Sequence, residues 1–357
     1  MATTSLRRRH YEPDPTRRIA LWQRDLDILA LVHRHRFLSS QDILSCIDGS
    51  TQHVRKRLRA LVDTGYLIRV RSPKPRACNA GSQPLLYGIS SLAAEILASA
   101  GRAPRDHINW TRRNEEVNDP QKGLGIKVVP HTVGLASAML EVERFVQQSN
   151  GAVRLITERE ILATMAPPET QRERRPFTSY VELLHPRVWH DDHGDEQVGI
   201  EPRRIGITPD KMFGLEFADR PVGQNRLFYI VEYDRATSAV TLSEAADFAH
   251  FEKSSIYKKI VGISAWWAQG LHTKRFGLKS FQWLFITESE ARVHTMVSAF
   301  ARIRERVFPV WRDVDTDRIH RIFRFACRAS VDPNRLLNYA WVDGLGAPKS
   351  LSLPEGY

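Results

Sequence analysis

Three carboxylates are the residues in this chain best placed to do chemistry. Asp210 follows Pro209 at the head of DKMFGLEF, and Glu232 and Asp234 stand two apart in RLFYIVEYDRAT. Side chains alternate along a strand, so Glu232 and Asp234 leave the second segment on one face. A loop rich in Arg, Pro, Gly and Asn joins the two apolar segments, which predicts a hairpin. Asp210 would open its first strand, and the three acids would converge. Such a set of oxygens suits a hard divalent cation, Mg²⁺ or Mn²⁺, with water completing the coordination. Asp210, Glu232 and Asp234 are therefore the candidate metal ligands.

The flanking segments must hold that hairpin in place. HTVGLASAMLEVERFVQQSNG, from His131, predicts an amphipathic helix ended by Asn150 and Gly151, and AVRLITERE predicts a strand. Residues 163–199 read as an irregular, proline-rich and charged insertion. Within it, HDDHGDE (His190 to Glu196) has the residue types of a metal cluster but no regular element to fix them, so it reads as a hydrophilic surface turn. After the hairpin come one or two helices ending in SSIYKKIVGISAWWAQG, a buried strand FQWLFITES and a helix EARVHTMVSAFARIRERV. This order predicts an α/β domain over residues 131–307, a sheet covered by helices. Residues 308–357 read as an extension of strands and loops packed on that domain.

The front of the chain differs in charge. Of a formal net charge of +11, residues 1–76 hold 16 Lys and Arg against 7 Asp and Glu, a balance of +9. Residues 1–18, with Arg7, Arg8 and Arg9, form a basic arm without periodicity. From residue 19 to 101, helical spacing around Leu26, Leu29 and Val32 is followed by SSQDILSCI, with Ser39 as N-cap, and by TQHVRKRLRALVDT between Ser50 and Gly65. YLIRVR and LLYGI then bracket a proline-rich loop, and SSLAAEILASAG closes the module. Three helices and a hairpin predict a winged helix-turn-helix. On the third helix Val54, Leu58 and Leu61 share one face, which leaves Gln52, Lys56 and Arg59 opposite and His53 and Arg55 on the shoulders. Arg and Lys suit guanine edges and Gln suits adenine edges, so this face, with Lys74 and Arg76 of the wing, is the candidate surface for double-stranded DNA. Residues 102–130, with Pro104 and Pro120, read as a linker.

Composition excludes other classes. The longest apolar stretches fall short of the roughly 20 residues of a membrane span, and no secretory signal is legible at the N-terminus, so no membrane partner and a cytoplasmic location are expected. Cys46, Cys78 and Cys327 form no CxxC pair, which argues against a zinc knuckle or a disulfide framework.

The order helix, strand, strand with PD, strand with an acidic pair, helix and strand resembles the PD-(D/E)XK nuclease-like fold. That resemblance implies metal binding by Asp210 and Glu232 and a lysine two residues on that activates water. Position 234 departs from the pattern, being Asp. The resemblance then requires a lysine from elsewhere, and Lys258 and Lys259 lie on the following helix. Lys259 shares a helical face with Ile263 and Trp266, which makes it the candidate third catalytic group beside Asp210 and Glu232. Glu141 or Glu143 would be accessory metal ligands. More broadly, RFLSSQDI, RKRLRALVDTGYLIR, TPDKMFGLEF, VEYDRAT, SIYKKI and FITESEARVHTM together resemble the replication-relaxation family of bacterial plasmids and integrative elements.

Two readings follow from that likeness. In the first, the chain is a sequence-directed DNA-binding protein of a mobile element, acting in replication, relaxation or transfer, whose nuclease-like domain is a scaffold. Asp234 would then pair with Arg235. In the second it is a Mg²⁺-dependent endonuclease or nickase using Asp210, Glu232 and a relocated lysine. A homodimer reading two half-sites and other replication or transfer proteins are the expected partners. A histidine-metal relaxase is set aside, because the His-x-His of His33 and His35 falls on a polar helix face rather than a buried strand.

Overall fold

A computed structural model describes residues 18–70, 84–103, 116–118, 125–235, 255–311, 314–328 and 339–351. The chain has a multi-domain α/β fold and separates into two compact units, Met1–Leu140 and Glu141–Tyr357.

The first unit runs α1 (Gln23–His35), β1 (Leu38–Ser39), α2 (Ser40–Cys46), α3 (Thr51–Asp63), β2 (Leu67–Val70), β3 (Leu86–Ile89) and α4 (Ser91–Ser99). Local sequence explains the boundaries. Ser39 caps α2 by accepting from the Asp42 amide at 3.0 Å, and the Asp42 carboxylate accepts from the Ser39 amide in return. Ser50 caps α3, and Gly65, at φ +78°, turns the chain out of it. The strands form an antiparallel sheet in the order β1-β3-β2. Val54, Leu58 and Leu61 of α3 pack with Ile28, Leu29 and Val32 of α1, which is the face that helical spacing assigned to the core.

A long helix, α5 (Gly125–Gln148), follows. It begins six residues earlier than expected and carries Pro130 in its second turn. The proline marks no boundary there, since it removes only one backbone donor near a helix start. Ala136 and Leu140 of α5 belong to the first core. The stretch read as linker thus contributes helix, and the first unit ends within α5.

The second unit continues with β4 (Val153–Thr157), α6 (Glu158–Thr164), α7 (Pro168–Arg172), β5 (Ser179–His190), β6 (Glu196–Ile207), β7 (Lys211–Phe217), β8 (Arg226–Asp234), α8 (Ile256–Ala268), α9 (Leu271–Phe276), β9 (Gln282–Thr287), α10 (Glu290–Arg306), β10 (Phe323–Cys327), β11 (Trp341–Val342) and β12 (Pro348–Lys349). Seven strands make one sheet in the order β12-β11-β10-β9-β8-β7-β4. β8, β9 and β10 run parallel, and the other neighbours are antiparallel. The stretch after residue 307 is therefore integral to the sheet, because β10 lies directly beside β9.

Two further differences concern the insertion. Residues 163–199 are not irregular: β5 and β6 pair over twelve positions, from Ser179 with Ile207 to His190 with Glu196. Pro186, Pro202 and the acidic turn obscure an alternation that is otherwise that of a strand pair. HDDHGDE is the turn of this ribbon, where Asp191 accepts from the backbone amides of His193 and Asp195 at 3.0 Å. The ribbon lies on α8 at Gly262, where a Cβ would come within 3.1 Å of Ile205 and 3.3 Å of Ile207.

Phe228 and Ile230 of β8 join Met212, Ile260, Ile263, Trp266, Phe285 and Phe300 in the main core. By alternation Glu232 and Asp234 continue that face, while Tyr229, Val231 and Tyr233 line the other.

Candidate functional site

The β7–β8 hairpin brings the sequence-selected acids of the second unit together. Lys211 pairs with Val231, so Asp210, immediately before β7, comes level with Glu232 and Tyr233. The Tyr233 amide donates to Asp210 Oδ2 at 2.9 Å. Glu232 is 2% exposed, and its Oε2 accepts a hydrogen bond from Lys259 Nζ. α8 delivers that lysine: Ser255 caps the helix and Tyr257, Ile260 and Ile263 bury its inner face, which sets Lys259 over the end of β8. Burial alone would push the Lys259 pKa down. The Glu232, Asp210 and Asp234 carboxylates outweigh it, and the net shift is upward. Lys259 is thus held as an ammonium facing three carboxylates.

Asp234 is committed elsewhere. Arg292, in the first turn of α10, donates from Nε to Asp234 Oδ2 at 2.6 Å and from a terminal nitrogen to Oδ1 at 3.1 Å. Both side chains are nearly buried, at 13% and 7% exposure. The expected three-acid metal cage is not what the geometry presents. Among the described residues no group of three His, Cys, Asp or Glu is placed to hold a metal ion. The acids facing Lys259 most directly reduce to Asp210 and Glu232, and Asp234 pairs with Arg292 rather than Arg235. Arg292 is the residue that sequence reasoning missed. Its only signal is a cation in the first turn of the helix after a buried strand, 58 positions from its partner.

Glu141, expected as an accessory ligand, belongs to a network on the other face of β8. It accepts from the Tyr339 hydroxyl at 3.3 Å. Tyr233 donates its hydroxyl to Glu288 and accepts from Arg328 at 3.3 Å. Burial, with Glu288 adding to it against the opposing charge of Arg328, pushes the Tyr233 pKa up to about 12. Tyr233 is therefore clamped by its side chain on one face while its amide holds Asp210.

A cleft of about 220 Å³ opens onto the site, lined by Glu232, Lys258, Lys259, Ser255 and, from β6, Gly206 and Ile207. Lys258 also lines this cleft, and Lys259 hydrogen-bonds to Glu232.

In the first unit, Gln52, His53, Arg55, Lys56 and Arg59 are all exposed on α3. His53 Nδ1 lies 3.2 Å from Ser50 Oγ, so that side chain also closes the cap. Arg57, between them, is structural. It donates to both oxygens of the buried Asp25, at 2.8 and 2.5 Å, and lies over the Trp22 ring at 4.9 Å. Arg55 and Arg69 of β2 are close enough to Tyr87 to pull its pKa down, though burial raises it overall. Lys74, Arg76 and the arm with Arg7, Arg8 and Arg9 lie outside the described residues. His33, expected on a polar face, is buried in α1.

With the two units laid out, comparison with known families decides the lineage. The replication-relaxation family model matches residues 29–274. The chain belongs to the replication-relaxation family. The match begins in α1 and ends in α9, so it takes in α3, the ribbon, the β7–β8 hairpin and Lys259. No curated protein matches the chain. Membership ties this replication-relaxation protein to DNA, and no helix among its described residues is long and apolar enough to cross a membrane.

Proposed function

We propose that this replication-relaxation protein binds duplex DNA of a mobile element through α3 of its first unit and nicks DNA at the Asp210, Glu232 and Lys259 site of its second. The observation that carries the reading is the placement of the Lys259 ammonium on Glu232, facing Asp210. In the PD-(D/E)XK pattern a lysine two residues after the Glu supplies that charge. Here Asp234 stands in that position, and Lys259 brings an equivalent charge from α8. The order α5, β4, β7, β8, α8, β9, interrupted by α6, α7, the ribbon and α9 and with β8 and β9 parallel, supports that reading.

The donor set fits Mg²⁺ or Mn²⁺. Two carboxylates, one nearly buried, are enough for a cation that keeps several waters. Asp210 and Glu232 would hold it, and when bound it would lower the pKa of a coordinated water. The chain's own residues do the rest. The Tyr233 amide orients Asp210. Lys259, held protonated, donates hydrogen bonds toward a phosphate oxygen or the entering water. The core of α8 excludes bulk solvent behind it. Arg292 neutralises Asp234, so that a third anion does not repel the phosphate.

Supercoiled plasmid incubated with Mg²⁺ or Mn²⁺ tests this reading. Conversion to open circles by the wild type, lost in Asp210→Ala and in Glu232→Ala, supports it. Equal conversion by both variants would trace the activity to a contaminant and sink the assignment. A second reading has its own observation. The Lys259–Glu232 and Asp234–Arg292 pairs close the site on itself, as they would in a scaffold that only binds DNA. Under that reading the same plasmid is retarded in a gel but stays supercoiled.

A further inference from the structure

Tyr87 of β3 belongs to the first core and is 5% exposed. In the sheet it stands between Leu38 of β1, which is fully buried, and Arg69 of β2, its direct partner in the antiparallel pair. Side chains directly opposite one another share a face, with roughly 5 Å between their Cβ atoms. Arg69 is exposed, so the buried row gives way to solvent at β2. α3 packs beside that strand. The charged groups that act on the Tyr87 hydroxyl are Arg69 and, from α3, Arg55, both exposed cations. Asn118 Nδ2 donates to the Arg69 carbonyl at 2.7 Å, which fixes the backbone of β2 at that point. We propose that Arg55, Arg69 and the Tyr87 hydroxyl form a cradle for one backbone phosphate of the DNA, a site that rests on α3 as the duplex-binding element.

The donors select the ligand. Burial raises the Tyr87 pKa above its ordinary value against the pull of Arg69 and Arg55, so the phenol keeps its proton. Among the described residues its hydroxyl makes no hydrogen bond. A guanidinium has donors and no acceptor, so the three groups together offer N–H and O–H to a single acceptor. Two cations facing one hydroxyl repel each other until an anion lies between them. A phosphate oxygen accepts from several donors at once, and charge-assisted bonds of this kind are the strong ones. Base edges lie within the groove, where only protruding side chains reach them. Tyr87 is set back in the core, and phosphates, on the outside of the duplex, are the groups that can meet it.

The experiment is a titration of the full chain with two fluorescent duplexes of unrelated sequence over a salt series. Arg69→Ala should weaken both duplexes equally, by about fivefold, and reduce the slope of log K against log salt by about 1, while Arg69→Lys should recover the slope. Tyr87→Phe keeps the ring in the core and removes only the donor. It should weaken both duplexes about threefold with the slope and the circular dichroism unchanged. Because the two guanidiniums share one phosphate, Arg55→Ala with Arg69→Ala should lose less than the product of the single losses. Wild-type binding by either Arg69→Ala or Tyr87→Phe overturns the cradle, and α3 still stands as the binding element if Arg59→Ala weakens both duplexes. Unequal losses on the two duplexes would make Arg69 a base reader, and a full product of losses would put the guanidiniums on separate phosphates. Each of these also overturns the cradle.

Discussion

The two units handle charge in opposite ways. In the first, the cations of α3 stand in water along one helical face, and only Arg57 is turned inward, onto Asp25. In the second, the decisive charges are paired across long sequence separations: the buried Glu232 with the part-exposed Lys259, and Asp234 with Arg292, both nearly buried. An exposed cationic face costs the fold little and is open to solvent, where phosphates could reach it. A buried pair is fixed by the surrounding core and holds its groups in one geometry, as chemistry demands. The proposed binding surface and the proposed reactive site are thus built on different physics.

The sharpest way to break that comparison is to remove one partner of a buried pair. Arg292→Ala leaves the Asp234 carboxylate buried without its guanidinium and should destabilise the second unit by about 3–5 kcal/mol in urea unfolding followed by tryptophan fluorescence. Replacing both partners, Asp234→Leu with Arg292→Leu, should cost much less. Arg59→Ala on the exposed face should change stability by less than about 0.5 kcal/mol. Similar losses for Arg292→Ala and Arg59→Ala would erase the distinction.

A pH series sharpens it next. His185 of β5 is buried, with Nε2 3.3 Å from the Tyr257 hydroxyl. Burial, with Arg203 adding to it against a backbone hydrogen bond at Pro186, lowers its pKa to about 4. The unfolded chain takes up that proton near the ordinary value of about 6.5, so the contribution is complete above it and is lost as pH falls toward 4. The loss should approach roughly 3 kcal/mol. His185→Gln should flatten this part of the urea-midpoint profile, and a profile identical to wild type would contradict the burial argument.

The smallest effects belong to the exposed face. Arg55→Ala and Arg59→Ala should each weaken duplex binding a few-fold and reduce the slope of log K against log salt by about 1. Unchanged binding in the double variant would remove α3 from the interface.

What could be read in the sequence follows the same division. α3 and its caps were legible because helical periodicity, Ser50 and Gly65 are local signals. The β7–β8 hairpin was legible because alternation continues from Phe228 to Asp234. The ribbon was obscured by Pro186 and Pro202, and the first turn of α5 by Pro130, each a breaker tolerated for positional reasons. At the site, Lys259 was found because it shares a helical face with Ile263 and Trp266. Arg292 was not, since its pairing depends on how α10 returns over the sheet, and no short-range pattern encodes that. The Tyr233–Glu288–Arg328 clamp was hidden for the same reason.

The most direct test of the central claim is Lys259 itself. Mg²⁺-dependent conversion of supercoiled to open-circular plasmid should fall by at least about 100-fold in Lys259→Ala. Lys258→Ala, in the same cleft, should stay close to wild type. Nicking that survives Lys259→Ala, or that falls equally in both variants, would contradict the assignment of Lys259 as the relocated lysine.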